Sequence, residues 1–313
     1  MAGRGKGATG RAHAPCRDFD AIPPTDTEYQ SRVGALRQEL QRLGWTRGGN
    51  IEFDERWTAD NMDLVRANAA NLVELKPDVI VALGGRVIPV LMQLTRTVPI
   101  IISGAVDAVG EGFIESLVRP GGNVTGFATM EFSVLGKILE TLKQIAPATS
   151  RVAMIYNPDN PSTVQFRRLF ESFAGPLSVH PVDAPIRGIA DIERVIKALA
   201  EQTNGGVFFP PDFTTLALRD QVTALVARHR LPAIYTDRVF VTSGGLVSYD
   251  ADRTVTFRGA ASYVDRVLRG EKPGDLPFQQ PTKYQLMINL KTAKTLGLNI
   301  PPTLLALADE VIE

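Results

Sequence analysis

DVIVALGGRVIPVLMQLTRTVPIIISG, residues 78–104, reads as a strand, a glycine turn, a short helix and a second strand. DVIVAL (78–83) is a continuous apolar run bounded by Pro77 and by Gly84 and Gly85, the pattern of a strand buried on both faces of a parallel sheet. VPIIIS (98–103) repeats the pattern after a helix predicted at 87–95. Two buried strands joined through a helix make a right-handed βαβ crossover, the unit of an open α/β sheet.

The same alternation extends in both directions. Downstream, the pattern predicts a helix at 110–118, a turn at RPGGN (119–123), a strand at VTGF (124–127) and a helix carrying Leu135, Ile138, Leu139, Leu142 and Ile145. Upstream, Val33, Leu36, Leu40 and Leu43 recur at helical spacing before Gly44, which predicts a helix over 27–43. A second helix, Asp60 to Lys76, carries Leu64, Val65, Ala69, Leu72, Val73 and Leu75 and ends at Pro77.

RVAMIY (151–156) opens a second series. It continues through a helix to about Phe173, a helix marked by Ile192, Val195, Ile196 and Leu199, the strand GGVFFP (205–210) and a helix from Leu216 to Arg228. PAIYT (232–236), GGLVSY (244–249), a helix at 254–269 and a last strand and helix in YQLMINLKTAKTLGL (284–298) complete it. The expected fold class is α/β, with two doubly wound parallel-sheet lobes. The late units are shared between lobes, so the chain crosses more than once: residues 21–124 with 246–272 form lobe 1, and 125–245 with 273–313 form lobe 2. A doubly wound lobe begins with a buried strand, yet only DAIPP precedes the first helix, so the expectation is a lobe without its first strand, either with a weakened edge or with a start other than the natural one.

Composition narrows the function. Lys plus Arg and Asp plus Glu are both 34 in 313 residues, so no net charge draws the chain to nucleic acid or to an anionic membrane. With 44% apolar and 22% charged residues it is globular, and no apolar run reaches the length of a spanning helix. Cys16 is the single cysteine, and His13, His180 and His229 lie far apart, so neither a disulfide nor a metal site is expected. Residues 1–20, rich in Gly, Ala and Arg, are expected to be disordered or to reflect a misassigned start, since they resemble neither a strand nor a signal peptide.

In open α/β sheets, ligands bind beyond the carboxyl ends of the strands, where backbone N–H groups and helix N-termini converge. That rule selects Gly84, Gly85, Arg86, Ser103, Gly104, Asp107, Thr125 and Gly126 in the first lobe. In the second it selects Tyr156, Asn157, Pro211, Asp212, Thr236 and Asp237. Structural roles compete at several of these. Gly84 and Gly85 suit a tight βα turn, Asp107 suits the N-cap of the helix at 110–118, Asp212 suits the cap of a helix starting near Thr214, and Tyr156 suits the core. Neither GxGxxG nor GxxxxGK[ST] occurs, so no dinucleotide or triphosphate cradle is expected, and no cofactor. The chain also has no GxSxG elbow, and its histidines lie outside the predicted strand-end loops. A cleft without nucleophile or base points to binding rather than turnover.

Several segments carry a family resemblance: ELQRLGWTRGGNIEFDERW (39–57), LKPDVIVALGG (75–85), VPIIISGAVDAVGEGFIESLVRPGGNVTGF (98–127), RHRLPAIYTDRVFVTSGGLVSY (228–249) and above all LPFQQPTKYQLMINLKTAKTLGLNIPPTLLALADEVIE (276–313). Over residues 21–313 the chain resembles bacterial ABC-transporter substrate-binding proteins of the tryptophan/tyrosine transport type. The resemblance implies the type I periplasmic-binding-protein fold, three hinge crossings and closure around a small ligand. It implies a solute-binding component of an ABC importer, carrying an aromatic or other amino acid to permease and ATPase subunits, monomeric and periplasmic or lipid-anchored. Gly84, Gly85, Ser103 and Thr125 are then expected to hold an anionic group, Tyr156 to pack on the ligand side chain and Asp212 to answer its cation, with Asp107, Asn157 and Asp237 also lining the site. The chain departs from the family pattern at Gly85, where a hydroxyl residue is usual, at Asp107-Ala108 in place of Asp-Pro, at Asp250 in place of the glycine of SYG, and in lacking an N-terminal export signal and a RIGVL-like first strand. A sensory domain of the same fold and an α/β enzyme are the competing expectations.

Overall fold

The computed structural model describes residues 27–56, 62–83, 87–160 and 162–313. The expectations for residues 1–20 and for Gly84, Gly85 and Arg86 fall outside them. The first segment carries α1 (Thr27–Arg42), α2 (Met62–Glu74), β1 (Ile80–Ala82), α3 (Val87–Leu94), β2 (Ile100–Ala105) and β3 (Val124–Ala128). Then come α4 (Leu135–Ile145), β4 (Arg151–Tyr156), α5 (Thr163–Ala174), β5 (His180–Pro185), α6 (Ile189–Ala200) and β6 (Gly205–Phe209). They are followed by α7 (Phe213–Ala217), α8 (Arg219–Arg228), β7 (Ala233–Tyr235), α9 (Val239–Thr242) and β8 (Val247–Ala251). Last are α10 (Arg253–Leu268), β9 (Tyr284–Asn289), α11 (Leu290–Leu296), α12 (Pro302–Leu307) and β10 (Glu310–Ile312).

The chain divides into two compact units. The first runs to Thr129 and resumes over Arg253–Gln280; the second comprises Met130–Asp252 and Pro281–Glu313. Three passages join them, after Thr129, Asp252 and Gln280. Each comes later than the sequence pattern places it, for a pairing reason. β3 completes the sheet of the first unit, Gln279 bridges back to Phe127 of β3, and β8 belongs to the second sheet.

In the first unit, β1, β2 and β3 lie side by side and parallel. α2 and α3 cover one face, where Val65, Ala69, Leu72, Ile88 and Leu91 meet Ile80, Ile100 and Ile102 in a single buried cluster. Burying such a residue stabilises the fold by about 1.5–3 kcal/mol. α10 packs on β2 and β3 and is itself overlaid by α1. Gly126 in β3 has φ +149°, and a Cβ there would lie 2.1 Å from the Ile102 oxygen, so only glycine lets the two strands close.

The predicted helix at 110–118 does not form. Gly112 takes φ +73°, which a right-handed helix cannot accommodate. The segment is instead a chain of turns in which Phe113 and Ile114 plug the core cluster.

The second unit holds a seven-stranded sheet in the order β10-β9-β8-β7-β6-β4-β5. Its pairs are parallel, as expected of a doubly wound lobe, except β8 with β9, which run antiparallel. β6 and β7 are buried at every position, whereas β5 is a largely exposed edge with prolines at 181 and 185 that blunt further pairing. The predicted helix Leu216–Arg228 is divided into α7 and α8 at Leu218.

Candidate functional site

Parallel pairing sets the carboxyl ends of β4, β6 and β7 along one border of the second sheet, and the residues following them form a connected polar network. Asp212, after β6, lies at its centre. One carboxylate oxygen accepts the Thr215 amide at 2.9 Å and so caps α7; the other accepts the Asn157 amide, after β4, at 2.8 Å. The Asn157 side chain donates to Thr214 Oγ1 at 2.9 Å, and Asn160 donates to the Pro211 carbonyl at 2.9 Å. Burial pushes the Asp212 carboxyl above its ordinary range, and the amide donors of Thr215 and Asn157 pull it back.

The structure therefore brings Asn157 and Asp212 together, but it occupies both carboxylate oxygens with backbone donors. Asp212 is the clamp that fixes two strand ends. Tyr156 is also spent inside the unit. Its ring is buried, its hydroxyl donates to Asp183 on β5 at 2.7 Å, and Arg167 pairs with the same carboxylate at 3.0 Å. Burial first, and the Asp183 carboxylate second, push the phenol upward. This arrangement fits the core role weighed for Tyr156.

After β7, buried Thr236 donates to the Phe209 carbonyl at 3.1 Å, and Asp237 Oδ1 accepts the Val239 amide at 3.2 Å in the first turn of α9. Asp250, on β8, accepts the Arg238 amide at 2.8 Å. Tyr284, on β9, was not singled out by sequence reasoning. Its hydroxyl accepts the Glu131 amide at 2.7 Å, and its ring stacks on Tyr249 with centroids 5.7 Å apart and planes 7° apart. Tyr249 and Tyr284 are diagonal neighbours on β8 and β9, Tyr249 standing opposite Leu286 and Tyr284 opposite Ala251, a register no local pattern reveals.

In the first unit, Ser103 sits at the carboxyl end of β2, buried, with Gly104 beyond it at φ +141°. Asp107 caps a turn, accepting the Gly110 amide at 2.8 Å, and not the helix expected there. Thr125 is corrected: it is the second residue of β3, at the amino end of the strand, fully buried, and donates to the Leu276 carbonyl at 2.6 Å. Thr129, following β3, occupies the carboxyl end instead, its amide donating to Ala105 at 2.9 Å. Glu111, also missed from the sequence, lies in the turns after β2, and burial raises its carboxyl to about 7, with the Asp107 charge adding to the rise. Among the described residues no group of three His, Cys, Asp or Glu gathers to hold a metal, and no helix is long and apolar enough to cross a membrane.

A family model described as ABC transporter substrate binding protein matches residues 25–312. A relative named tyrosine-binding protein, from Clostridioides difficile, is 26% identical over 260 residues, covering 83% of this chain and 74% of its own length. The crystal structure of a conserved domain protein from Vibrio cholerae superposes with a TM-score of 0.88 at 26% identity, covering 97% of this chain and 99% of that one. An ABC domain in complex with L-Trp, from Streptococcus pneumonia, superposes with a TM-score of 0.89 at 20% identity, covering 96% of this chain and all of that one.

Proposed function

The chain belongs to the ABC transporter substrate binding protein family, and we propose that it captures a free amino acid, aromatic ones first, and delivers it to the permease of an importer. The observation that carries this reading is the three-passage connection of two α/β units, each presenting polar groups at its strand carboxyl ends. Three linkers join two such units, each with its own core. A tyrosine-binding relative and a neighbour solved with L-Trp support the ligand class. Family membership supports an extracytoplasmic location and ABC permease and ATPase subunits as partners. We take the working form to be a monomer.

Calorimetric titration of the chain with tyrosine, tryptophan, phenylalanine, other amino acids and small carboxylates tests the ligand class. The expected result is saturable binding of one aromatic amino acid per chain, with no consumption of it over hours. Binding of none of the amino acids overturns the ligand class. Steady conversion of any of them overturns capture in favour of an enzyme. Delivery is tested separately, by reconstituting candidate ABC permeases with their ATPase subunits and asking whether addition of the ligand-loaded chain drives ATP-dependent uptake.

A further inference from the structure

The amino ends of β4, β6 and β7 frame a cavity on the border of the second sheet opposite the one that carries Asn157, Asp212 and Thr236. β4 is six residues long, so roughly 16 Å of strand separates the two borders. The cavity measures about 290 Å³, at the small end of the range for ligand sites, about 300–1,000 Å³. Residues of three turns wall it, 146–149 after α4, 200–205 after α6 and 229–232 after α8, together with Leu298. The walls are braced from within the unit. Lys143 Nζ donates to the Pro147 and Thr149 carbonyls at 2.9 and 2.7 Å, and the Asn204 carbonyl accepts the Ser150 and Arg151 amides at 3.0 and 3.2 Å. Buried Ala146 and Leu231 supply apolar surface beside Pro147 and Pro232, and the two prolines lose no rotamer freedom when a ligand covers them.

The polar lining carries a sign. Thr149, Gln202, Asn204, His229 and Arg230 line the cavity, and no carboxylate does. Arg230 occupies a position that its own backbone disfavours. α8 ends in a Schellman turn, the Arg230 amide donating to the Ala227 carbonyl at 3.1 Å and the Leu231 amide to the Val226 carbonyl at 3.2 Å, with Arg230 at φ +53°. Glycine is the usual residue there because it carries no Cβ, and α11 ends in that way, with Gly297 at φ +70°. The cation that a helix C-terminus favours is already supplied by Arg228 in the last turn of α8. Among the described residues no acid pairs with Arg230, and the side-chain amides of Gln202 and Asn204 make no hydrogen bond within the chain. We infer that this cavity is a binding site for a small aromatic monocarboxylate without an ammonium group, its ring on the apolar walls and its carboxylate on Arg230 and the Asn204 amide. An amino acid does not suit it, because its ammonium would meet Arg230 with no counter-charge in the lining. The site is therefore chemically separate from the amino-acid capture proposed above.

Calorimetric titration of the full chain with phenylacetate, phenylacetamide and phenethylamine tests the assignment. Saturable binding of phenylacetate is expected, with the amide bound about tenfold more weakly for want of the charge and the amine not bound at this site. Arg230→Gly relaxes the turn, so it should melt no lower than the unaltered chain while binding phenylacetate about tenfold more weakly and no longer preferring it to phenylacetamide. Ala148→Trp, a change at an exposed position that fills the cavity, should abolish binding of both. Each variant should titrate with L-tryptophan as the unaltered chain does, whatever that affinity is. If phenylacetate does not bind, or binds both variants as tightly as the unaltered chain, the cavity is not its site and the assignment is wrong, while amino-acid capture is untouched. Equal affinity of the unaltered chain for phenylacetate and for the amide or the amine overturns recognition of an anion. A lower melting temperature in Arg230→Gly would show that the guanidinium has a partner within the fold and overturn its role in the site.

Discussion

The indole Nε1 of Trp45 donates to Asp265 Oδ1 at 2.8 Å, joining the loop after α1 to α10 across 220 positions of sequence. Arg269 completes the lock, bonding the same carboxylate oxygen at 2.7 Å while its guanidinium lies 5.9 Å from the Trp45 ring centroid. The pair is buried, and through it α1 and α10 hold to one face of the first sheet. Asp265→Ala leaves the indole N–H enclosed without an acceptor and is expected to cost about 2–3 kcal/mol. Trp45→Phe should cost less, because Arg269 still pairs with the acid, and the double variant should cost less than the sum of the two. Urea unfolding of the three variants measures the coupling. Strict additivity would show that the bond contributes nothing beyond packing.

Asp212 is expected to matter for stability, since both its oxygens accept backbone amides. Asp212→Ala removes the α7 cap and the Asn157 amide acceptor together, a loss of about 2–3 kcal/mol. Asp212→Asn keeps one acceptor oxygen and should recover part of it. Thermal unfolding of the two variants without ligand is the check. A ligand-free Asp212→Ala as stable as the parent would show that neither bond is formed in solution.

The contrast between Asp212 and the strands around it shows what the sequence carries. Buried parallel strands announce themselves as apolar runs between Pro and Gly, so β1, β2, β4 and β6 were legible with their connecting helices. An aspartate after a strand is legible only as a polar residue, because whether its oxygens meet a ligand or a helix amide depends on the turn that follows. Thr125 was misplaced although VTGF (124–127) already sets it near the amino end of its strand, since the carboxyl-end rule points past Phe127. The helix expected at 110–118 failed because its apolar spacing outweighed Gly110 and Gly112, whose backbone demands decide the matter. Trp45 with Asp265, and Tyr249 with Tyr284, left no local trace at all, since such pairs are made by tertiary neighbours.

Glu111 makes stability fall with rising pH near neutrality. Its carboxyl is raised from 4.5 to about 7 in the folded chain, chiefly by burial, so the folded state holds a proton that the unfolded state has released. Its contribution is fully present below the unfolded value of about 4.5 and is lost progressively as pH rises through about 7. Glu111→Gln should therefore stabilise the chain at pH 8 by about 1–3 kcal/mol and change it little at pH 4.5. Denaturant midpoints of both proteins between pH 4.5 and 8.5 test this. Parallel pH profiles for the parent and the variant would exclude Glu111 as the titrating group.

Gly126 and Gly122 both hold positive φ in the first unit, and they separate two causes of glycine's presence. At Gly122, φ is +59° and nothing lies within 4 Å of an added Cβ, so Gly122→Ala costs only the left-handed backbone, about 1 kcal/mol. At Gly126, φ is +149° and the Cβ would stand 2.1 Å from the Ile102 oxygen and 2.6 Å from its nitrogen, both backbone atoms that cannot swing aside. Relief requires β3 to withdraw from β2, which breaks ladder bonds and opens the strand end that carries Ser103. Gly126→Ala is expected to cost about 3 kcal/mol or more, combining strain with overpacking. It should also weaken amino-acid binding, whereas Gly122→Ala should leave binding unchanged. Equal denaturant midpoints for the two variants would show that β2 and β3 do not pair as closely as the structure places them.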